Sequence, residues 1–313
     1  MSQYDLLIIG GGPSGLSAGI YAARANLKTL IIERGILGGQ IANTDLVENY
    51  PGFPEIITGP QLTELFEKQA TKFGVEIEYT EVREITKKGE LFLVKTSDDE
   101  EYTSHAVILS TGSDPNKLQV PGEKEFAGKG VSYCAVCDAN FFRDLVVAVA
   151  GGGDAAVEEG LYLTKFVKKL YIIHRRDELR AQKIIQDRAF KNPKVEFVWD
   201  SVVTKVFGDK LMKGLEVKNV KTGEQKELEC DGLFVYIGST PNSCLVTLPV
   251  KKDSIGHIIT NEYMETKTPG LYAIGDLRKC PLRQIVTAAS DGAIAAQYAE
   301  KYIESLAFES ESS

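Results

Sequence analysis

Tyr4 to Glu33 reads YDLLIIGGGPSGLSAGIYAARANLKTLIIE, and its pattern decides the fold. Tyr4 to Gly10 is a short apolar run of the kind that forms a strand buried on both faces. Gly10-Gly11-Gly12-Pro13-Ser14-Gly15 then opens a small-residue helix expected over about Pro13 to Asn26, and Thr29 to Ile32 forms a second strand ending at Glu33. Together these make a βαβ unit. Glycines at such a turn let the backbone reverse sharply and let a pyrophosphate approach the N–H groups at the helix N-terminus, where the dipole favours anions. Glu33 falls where a carboxylate can accept hydrogen bonds from a ribose 2′-hydroxyl. A glycine turn that merely packs helix on sheet is the plainer reading, and the complete unit with its terminal acid argues against it.

The pattern returns at Leu145 to His174, LVVAVAGGGDAAVEEGLYLTKFVKKLYIIH, where a strand, Gly151-Gly152-Gly153, a helix and a second strand succeed one another. Glu33 stands 23 positions after Gly10, and His174 stands 23 after Gly151, so the chain carries two dinucleotide-binding units in matching register. At the decisive position the second unit has His174-Arg175-Arg176 instead of an acid, with Arg180 expected one helical turn further on. A 2′-phosphate is doubly charged and suits guanidinium forks, so this cluster points to NADP over NAD. The rival is a solvated basic surface, and the alignment with Glu33 counts against it. An acid on the ribose excludes NADP from the first unit and leaves FAD or NAD. Two nicotinamide sites have no chemistry between them, whereas a flavin and a nicotinamide form a hydride relay, so FAD is assigned there.

The 313 residues carry 36 basic and 44 acidic side chains, a net charge of −8. That length suggests roughly two domains, and the acidic balance argues against nucleic acid or an anionic membrane as partner. Apolar runs such as Leu145 to Ala150 fall far short of the roughly 18 residues of a membrane span. Met1 to Asp5 lacks a basic n-region or cleavage site, so no signal peptide and a cytoplasmic location are expected. Ala106 to Gly112 (AVILSTG) and Gly232 to Thr240 (GLFVYIGST) are apolar strands with Gly-rich ends, each expected to close its domain. About 70 residues follow Asn242, too few for an independent domain. They include a strand, Leu271 to Ile274, then Gly275-Asp276, and a helix from about Gln284 to Glu304, and are expected to complete the first domain. The fold class is therefore α/β, with two Rossmann-like dinucleotide-binding domains. The FAD domain is discontinuous, 1–114 and 243–313, with the NADPH domain inserted at 115–242. Ser113–Asn116 and Ser239–Asn242 read as turn-rich linkers.

Among five cysteines only Cys134-Ala135-Val136-Cys137-Asp138 holds a close pair. Cysteines three apart at the start of a helical turn can form a reducible disulfide, and the helix N-terminus favours the thiolate needed for exchange. Asp138 can donate or take the proton that the sulfurs require. Zinc would need a second ligand pair, and His105, His174 and His257 stand at no metal-ligand spacing. Inert buried thiols are the other alternative. Cys230, Cys244 and Cys280 are read as structural.

These residues carry a resemblance over nearly the whole chain. The sequence resembles the low-molecular-weight, bacterial-type thioredoxin reductases, homodimeric FAD proteins reduced by NADPH. The matching stretches are IIGGGPSGLSAGIYAARA (Ile8 to Ala25), GGQIANTDLVENYPGF (Gly38 to Phe53), CAVCD, GGGDAAVEE (Gly151 to Glu159), HRRDELRAQKI (His174 to Ile184), YAIGDLR (Tyr272 to Arg278) and RQIVTAASDG (Arg283 to Gly292). It implies that Gly10, Gly12, Ser14 and Gly15 hold the FAD pyrophosphate and that Glu33 meets the adenosine ribose. Gln40 and Asn49 are implied near the flavin, Thr111 and Gly112 near the adenosine, and Asp276, Arg283 and Gln284 on the ribityl and isoalloxazine parts. Gly151, Gly153 and Asp154 belong by the same resemblance to the second phosphate turn, with Arg175, Arg176 and Arg180 on the 2′-phosphate. Cys137 is implied nearest the flavin, Cys134 attacks the protein substrate, and Asp138 is the acid.

What the resemblance implies as a reaction is hydride transfer from NADPH to FAD, on to the Cys134–Cys137 disulfide, and dithiol exchange with oxidised thioredoxin. Because the nicotinamide and the CxxC share one domain and must each reach one flavin, the linkers near Pro115 and Pro241 are expected to act as a hinge pair. Departures from the pattern are Ala155, where a hydroxyl is usual and NADPH affinity is expected to fall, and Ala139-Asn140 in place of a glycine. Gly160, within the following helix, is expected to cost roughly 0.5 to 1 kcal/mol against Ala. Flavin oxidases and ferredoxin-fed reductases share the scaffold but do not need the three arginines. A redox sensor, which would be reoxidised slowly by every protein disulfide, is the non-enzymatic rival.

Overall fold

The computed structural model describes residues 2–43, 47, 49–55 and 57–311, so positions 44–46 and 48 of the Gly38 to Phe53 stretch lie outside it. The chain divides into two compact units, residues 1–114 with 240–313, and residues 115–239.

In the first unit β1 (Leu6–Ile9) is buried along its length and runs into α1 (Pro13–Arg24), which has Pro13 in its first turn and Gly12 as N-cap. The helix stops short of the expected Asn26 because that residue takes a left-handed φ of 62°, which no helix continues. Then come β2 (Thr29–Glu33), α2 (Gly59–Lys72) behind a capping box of Thr58 and Gln61, and β3 (Glu76–Tyr79). Next, β4 (Val82–Lys88), β5 (Leu91–Thr96) and β6 (Glu101–Ser104) form an antiparallel layer that the sequence reading did not anticipate, before β7 (Ala106–Leu109) returns to the main sheet. The crossing segment β8 (Ser113–Pro115) leads to the second unit.

There the order repeats. After β9 (Val131–Ser132) and the single turn α3 (Ala135–Asp138) come β10 (Val146–Ala150), α4 (Asp154–Leu163), β11 (Lys169–Ile173), α5 (Lys183–Lys191) and β12 (Val195–Val198). An antiparallel layer again follows, β13 (Ser201–Gly208), β14 (Met212–Asn219) and β15 (Gln225–Glu229), and β16 (Gly232–Val235) closes the unit. The chain leaves through β17 (Ser239–Pro241), and the tail adds β18 (Leu271–Ala273) and α6 (Ile285–Glu311) to the first unit. No helix among the described residues is long and apolar enough to cross a membrane.

The two main sheets have the same design. Strand order is β18-β7-β1-β2-β3 in the first and β9-β16-β10-β11-β12 in the second, with every pairing parallel. Side-chain alternation sorts each strand between two cores. Leu6 and Ile8 pack with Leu16, Ala18 and Leu62 of the helices, whereas Leu7 and Ile9 pack with Ile85, Phe92 and Val94 of the antiparallel layer. Val147 and Val149 face α4 and α5 in the same way, and Ala148 and Ala150 face β13 and β14. Such strands show no polar-apolar alternation, which is why they read as continuous apolar runs.

Two local expectations are corrected. The crossing segments are not loose turns: β8 and β17 pair as a two-stranded ribbon. Asn116 N–H donates to Gly238 O at 2.9 Å at one end, and Asn242 N–H to Gly112 O at 3.0 Å at the other. Gly160 is not simply a weak point of α4, since a Cβ there would stand 3.2 Å from Leu170 Cδ2, so its absence lets the helix sit close on the sheet.

Candidate active site

Each parallel sheet ends in a glycine turn against a helix N-terminus. Gly10 has φ of 108°, and a Cβ there would run into the Ser110 carbonyl, while a Cβ on Gly15 would strike Gly10 O. These glycines make the reversal and the close helix-on-strand packing possible. Gly12 differs: nothing lies within 4 Å of where its Cβ would stand, and no side chain caps α1. Uncapped first-turn N–H groups beside open space are what a pyrophosphate requires, so the residues fit a dinucleotide. Glu33 accepts hydrogen bonds from Gly11 N–H at 2.7 Å and Gly35 N–H at 2.8 Å, which fixes its carboxylate at the turn with lone pairs left for a ribose hydroxyl. Ser14 is buried with its hydroxyl 2.8 Å from Ser110 Oγ, so its main-chain N–H is the group it can offer an anion.

The remaining first-unit residues form two groups. Thr111 Oγ1 donates to Asn242 O at 2.9 Å and Asn242 Nδ2 donates to Thr111 O at 3.0 Å, so Thr111 and Gly112 fasten the chain crossing. Gln40 Nε2 donates to Asp114 Oδ1 at 3.1 Å. Asn49 Nδ2 donates to Gln284 Oε1 at 3.0 Å, joining two residues 235 positions apart. Asp276 borders a cavity of about 140 Å³ lined also by Gly275, Arg278, Cys280 and Leu282. Burial pushes its carboxyl above the ordinary range, against the pull of Arg283. Arg278 braces this wall with two hydrogen bonds to Asp291, at 2.6 and 2.8 Å.

The second turn repeats the first in detail. Gly151, at φ of 151°, leaves no room for a Cβ against Tyr236 O and Ala156, and Gly152 lies against the His174 ring. Gly153 caps α4 with nothing within 4 Å of its Cβ position and no side-chain cap, so this turn too fits a phosphate. The helical turn expected to return Arg180 is absent, because residues 174–182 form bends and α5 begins only at Lys183. Main-chain hydrogen bonds do that work: Arg180 N–H donates to Gly152 O and Gln182 N–H to Asp154 Oδ1, each at 2.7 Å. Asp154 thus ties the arginine segment to the phosphate turn, an acid occupied away from any anion. Arg175, Arg176 and Arg180 are exposed, and all three act on buried His174. Burial, then Arg180, Arg175 and Arg176, hold that imidazole below its usual pKa, so it stays neutral at pH 7.

Cys134 and Cys137 form a disulfide, with Cα atoms 5.3 Å apart. Cys134 is the N-cap of α3, and its Sγ accepts the Cys137 N–H at 3.2 Å. Ser132 links the pair to the acid: its hydroxyl accepts the Cys134 N–H at 3.1 Å and donates to Asp138 Oδ2 at 2.5 Å. On the other side Ala135 N–H donates to the Tyr236 hydroxyl. Burial drives Tyr236 far above the usual phenol range, aided by Glu159 and Asp138, so it remains a neutral phenol. Sequence reasoning missed both residues. A polar side chain closing the short strand β9 was the only trace of Ser132, and nothing local marks Tyr236, which stands 101 positions from Ala135. The structural role read for the other thiols fits Cys230 alone, since Cys244 is exposed and Cys280 half-buried. Burial, with Asp231, pushes the Cys230 thiol up to about 12, which makes it inert.

Glu159 on α4 has a buried Oε2 without a hydrogen-bond partner, and burial plus Glu158 push its carboxyl up to about 6 from an ordinary 4.5. The folded chain therefore holds this proton more tightly than the unfolded chain. Its stabilising share is complete below about pH 4.5 and is lost as pH rises through about 6. The gap corresponds to about 2 kcal/mol at most, and partial exposure reduces it to about 1. Glu159→Gln is expected to raise the stability of the second unit by about 1 kcal/mol at pH 8 and leave it unchanged near pH 4.5, read by urea unfolding at both pH values. An equal effect at the two would contradict the burial argument.

Two glycine cradles, one bordered by an acid and one by arginines, together with a disulfide, define a flavin- and nicotinamide-type disulfide oxidoreductase. The sequence profile of the Pyridine nucleotide-disulphide oxidoreductase family matches residues 4–292, and the chain belongs to that family. It is 50% identical over 305 residues to a thioredoxin reductase of Bacillus subtilis, covering 97% of this chain and 96% of that one. A crystal structure of thioredoxin reductase from Streptococcus pyogenes superposes with a TM-score of 0.86 at 49% identity, covering 97% of this chain and 99% of that chain. Thioredoxin reductase from Giardia duodenalis gives 0.87 at 35% identity, covering 97% and 100%.

Proposed function

We propose that this chain is an NADPH-dependent thioredoxin-disulfide reductase, with FAD held by the first unit and NADPH by the second. The observation that carries the reading is the Cys134–Cys137 disulfide in the same unit as an uncapped glycine turn flanked by three arginines. Relatives 46 to 50% identical over 95 to 97% of their own length, all thioredoxin reductases, support it. Gly10, Gly12, Gly15 and the main chain of Ser14 would hold the FAD pyrophosphate, and Glu33 the adenosine ribose. Gln40, Asn49, Asp276, Arg283 and Gln284 would face the flavin and ribityl parts, with Thr111 and Gly112 at the adenosine side. Gly151, Gly153 and the segment pinned by Asp154 would place Arg175, Arg176 and Arg180 on the 2′-phosphate.

Bound FAD supplies a two-electron carrier between NADPH and the disulfide. The protein groups do the rest. When Cys137 takes the electron pair, Cys134 leaves as a thiolate that finds the Cys137 N–H already aimed at its sulfur. Asp138, oriented by Ser132, delivers the proton the second sulfur needs. The Cys134 thiolate then attacks the thioredoxin disulfide, forming one S–S bond as the partner's breaks. Cys137 resolves that mixed disulfide, restoring the Cys134–Cys137 bond and releasing dithiol thioredoxin with two electrons and two protons. The paired segments β8 and β17 would serve as the hinge between the two half-reactions. We place the chain in the cytoplasm as a homodimer: the family resemblance supports the second, and the sparse, odd cysteine content, suited to a reducing compartment, supports the first.

An anaerobic titration tests the reading. NADPH should bleach the yellow flavin absorbance and oxidised thioredoxin should restore it. Colourless protein that cannot be reconstituted with FAD, or bleaching by NADH alone, would overturn it. Ser132→Ala should slow the thioredoxin-dependent recovery about tenfold without slowing the bleaching, because it removes a hydrogen bond that orients the Asp138 carboxyl. Equal loss in both phases would mean that Ser132 only supports the fold.

A further inference from the structure

His257 has no part in the reaction above, yet it is 4% exposed and sits at the centre of a chain of hydrogen bonds. Asp253 Oδ1 accepts the N–H groups of Ile255, Gly256 and His257, each at 2.9 Å, and Asp253 Oδ2 lies 3.2 Å from His257 Nδ1. On the far side of the ring, Arg283 Nη2 lies 2.9 Å from His257 Nε2. A guanidinium has no acceptor and does not lose its proton in proteins, so His257 Nε2 must be the acceptor. The ring is thus neutral with its hydrogen on Nδ1, which donates to Asp253. Burial works against the charge on Asp253, but the three N–H groups and the imidazole outweigh it and hold the carboxyl below its usual range. Arg283 is otherwise an exposed side chain with many rotamers to lose, and a buried acceptor with only one orientation selects among them.

We propose that His257 is a positioning residue that holds Arg283 toward the flavin pocket by accepting its guanidinium N–H at Nε2. The inference rests on the reading that Arg283 and Asp276 face bound FAD. It deepens that reading by adding a clamp on the arginine that meets the cofactor. Ile258 places His257 there, since its N–H donates to Leu277 O at 3.1 Å and its O accepts from Lys279 N–H at 2.9 Å, alongside the turn that carries Asp276. The charged groups facing the ring are Asp253 on its own loop, Asp276 on that turn and Arg283 ahead of α6.

The first measurement needs no flavin. Nitrogen NMR of histidine-labelled chain, with His105, His174 and His257 assigned by single substitutions, should show His257 at pH 8 as the neutral Nδ1–H tautomer. An Nε2–H tautomer, or a ring still charged at that pH, overturns the proposal. The second measurement follows release of FAD from the holoenzyme by its fluorescence at pH 8. His257→Phe, which keeps an aromatic ring and removes the acceptor, should release FAD about tenfold faster than the parent, the effect of one hydrogen bond to a charged group. His257→Gln, which supplies another acceptor, should release it about as slowly as the parent. Release from His257→Phe at the parent's rate removes the clamp while leaving the flavin reading intact. A parent that binds no FAD removes both.

Discussion

Replacing Cys137 with serine is expected to lower thioredoxin reduction by at least about 10³-fold while NADPH still bleaches the bound flavin. A serine hydroxyl can neither form the S–S bond that accepts the electron pair nor attack a mixed disulfide at neutral pH. No other thiol can substitute: Cys230 is buried in the core, and Cys244 and Cys280 are single residues without a partner three positions away. Cys134→Ser should be equally inactive, and Cys244→Ser should change turnover less than twofold. The two inactive variants differ in a second observable. The main-chain N–H of residue 137 that points at the Cys134 sulfur survives either substitution. Cys137→Ser therefore leaves a thiol whose thiolate already has a donor, and it should react with iodoacetamide at pH 7 faster than the thiol left by Cys134→Ser. Retained thioredoxin reduction in either single-cysteine chain would break the proposed mechanism. The reverse order of alkylation would move the stabilised sulfur to Cys137.

How much of this was legible in the sequence depended on whether the controlling contacts are local. Both βαβ units could be read because their strands are buried on two faces and their turns need glycine for reasons confined to a few residues, as at Gly10 and Gly151. The match between Glu33 and His174 survives folding as a match between β2 and β11, each the sheet neighbour of the strand that opens its βαβ unit, β1 and β10. The antiparallel layers were less legible: β5 alternates buried and half-buried residues over six positions, but so short an alternation carries no glycine turn or motif to mark it. Arg180 reached its place by a route the sequence could not show. Its position is set by a hydrogen bond to Gly152, and no periodicity encodes that contact. The polar frame around the disulfide was equally hidden. Tyr236 and Ser132 meet the CxxC segment only because β16 and β9 are neighbours in the sheet. The Arg283–His257 contact spans 26 positions with no motif to announce it.

Removing the three guanidiniums together, as Arg175→Ala, Arg176→Ala and Arg180→Ala, is expected to raise the KM for NADPH by about 10²-fold and leave that for NADH within threefold. The size follows from what each contact is worth. A hydrogen bond to a charged group contributes about 1.5 to 3 kcal/mol when sheltered, and these side chains are exposed, so about 1 kcal/mol apiece is appropriate. Three such contacts sum to about 3 kcal/mol, a little over two decades in affinity. The chain as a whole is acidic, with a net charge of −8, so no general attraction for a phosphate remains once the cluster is gone. His174 cannot compensate, because burial and the same three arginines keep it neutral. Salt supplies an independent check. The Debye length falls from about 10 Å at 0.1 M to about 3 Å at 1 M, so the parent's KM for NADPH should climb steeply with ionic strength while the triple variant's stays nearly flat. An unchanged ratio of NADPH to NADH use in the triple variant would mean that the 2′-phosphate lies elsewhere. The register of His174 against Glu33 would then carry no information about the cofactor.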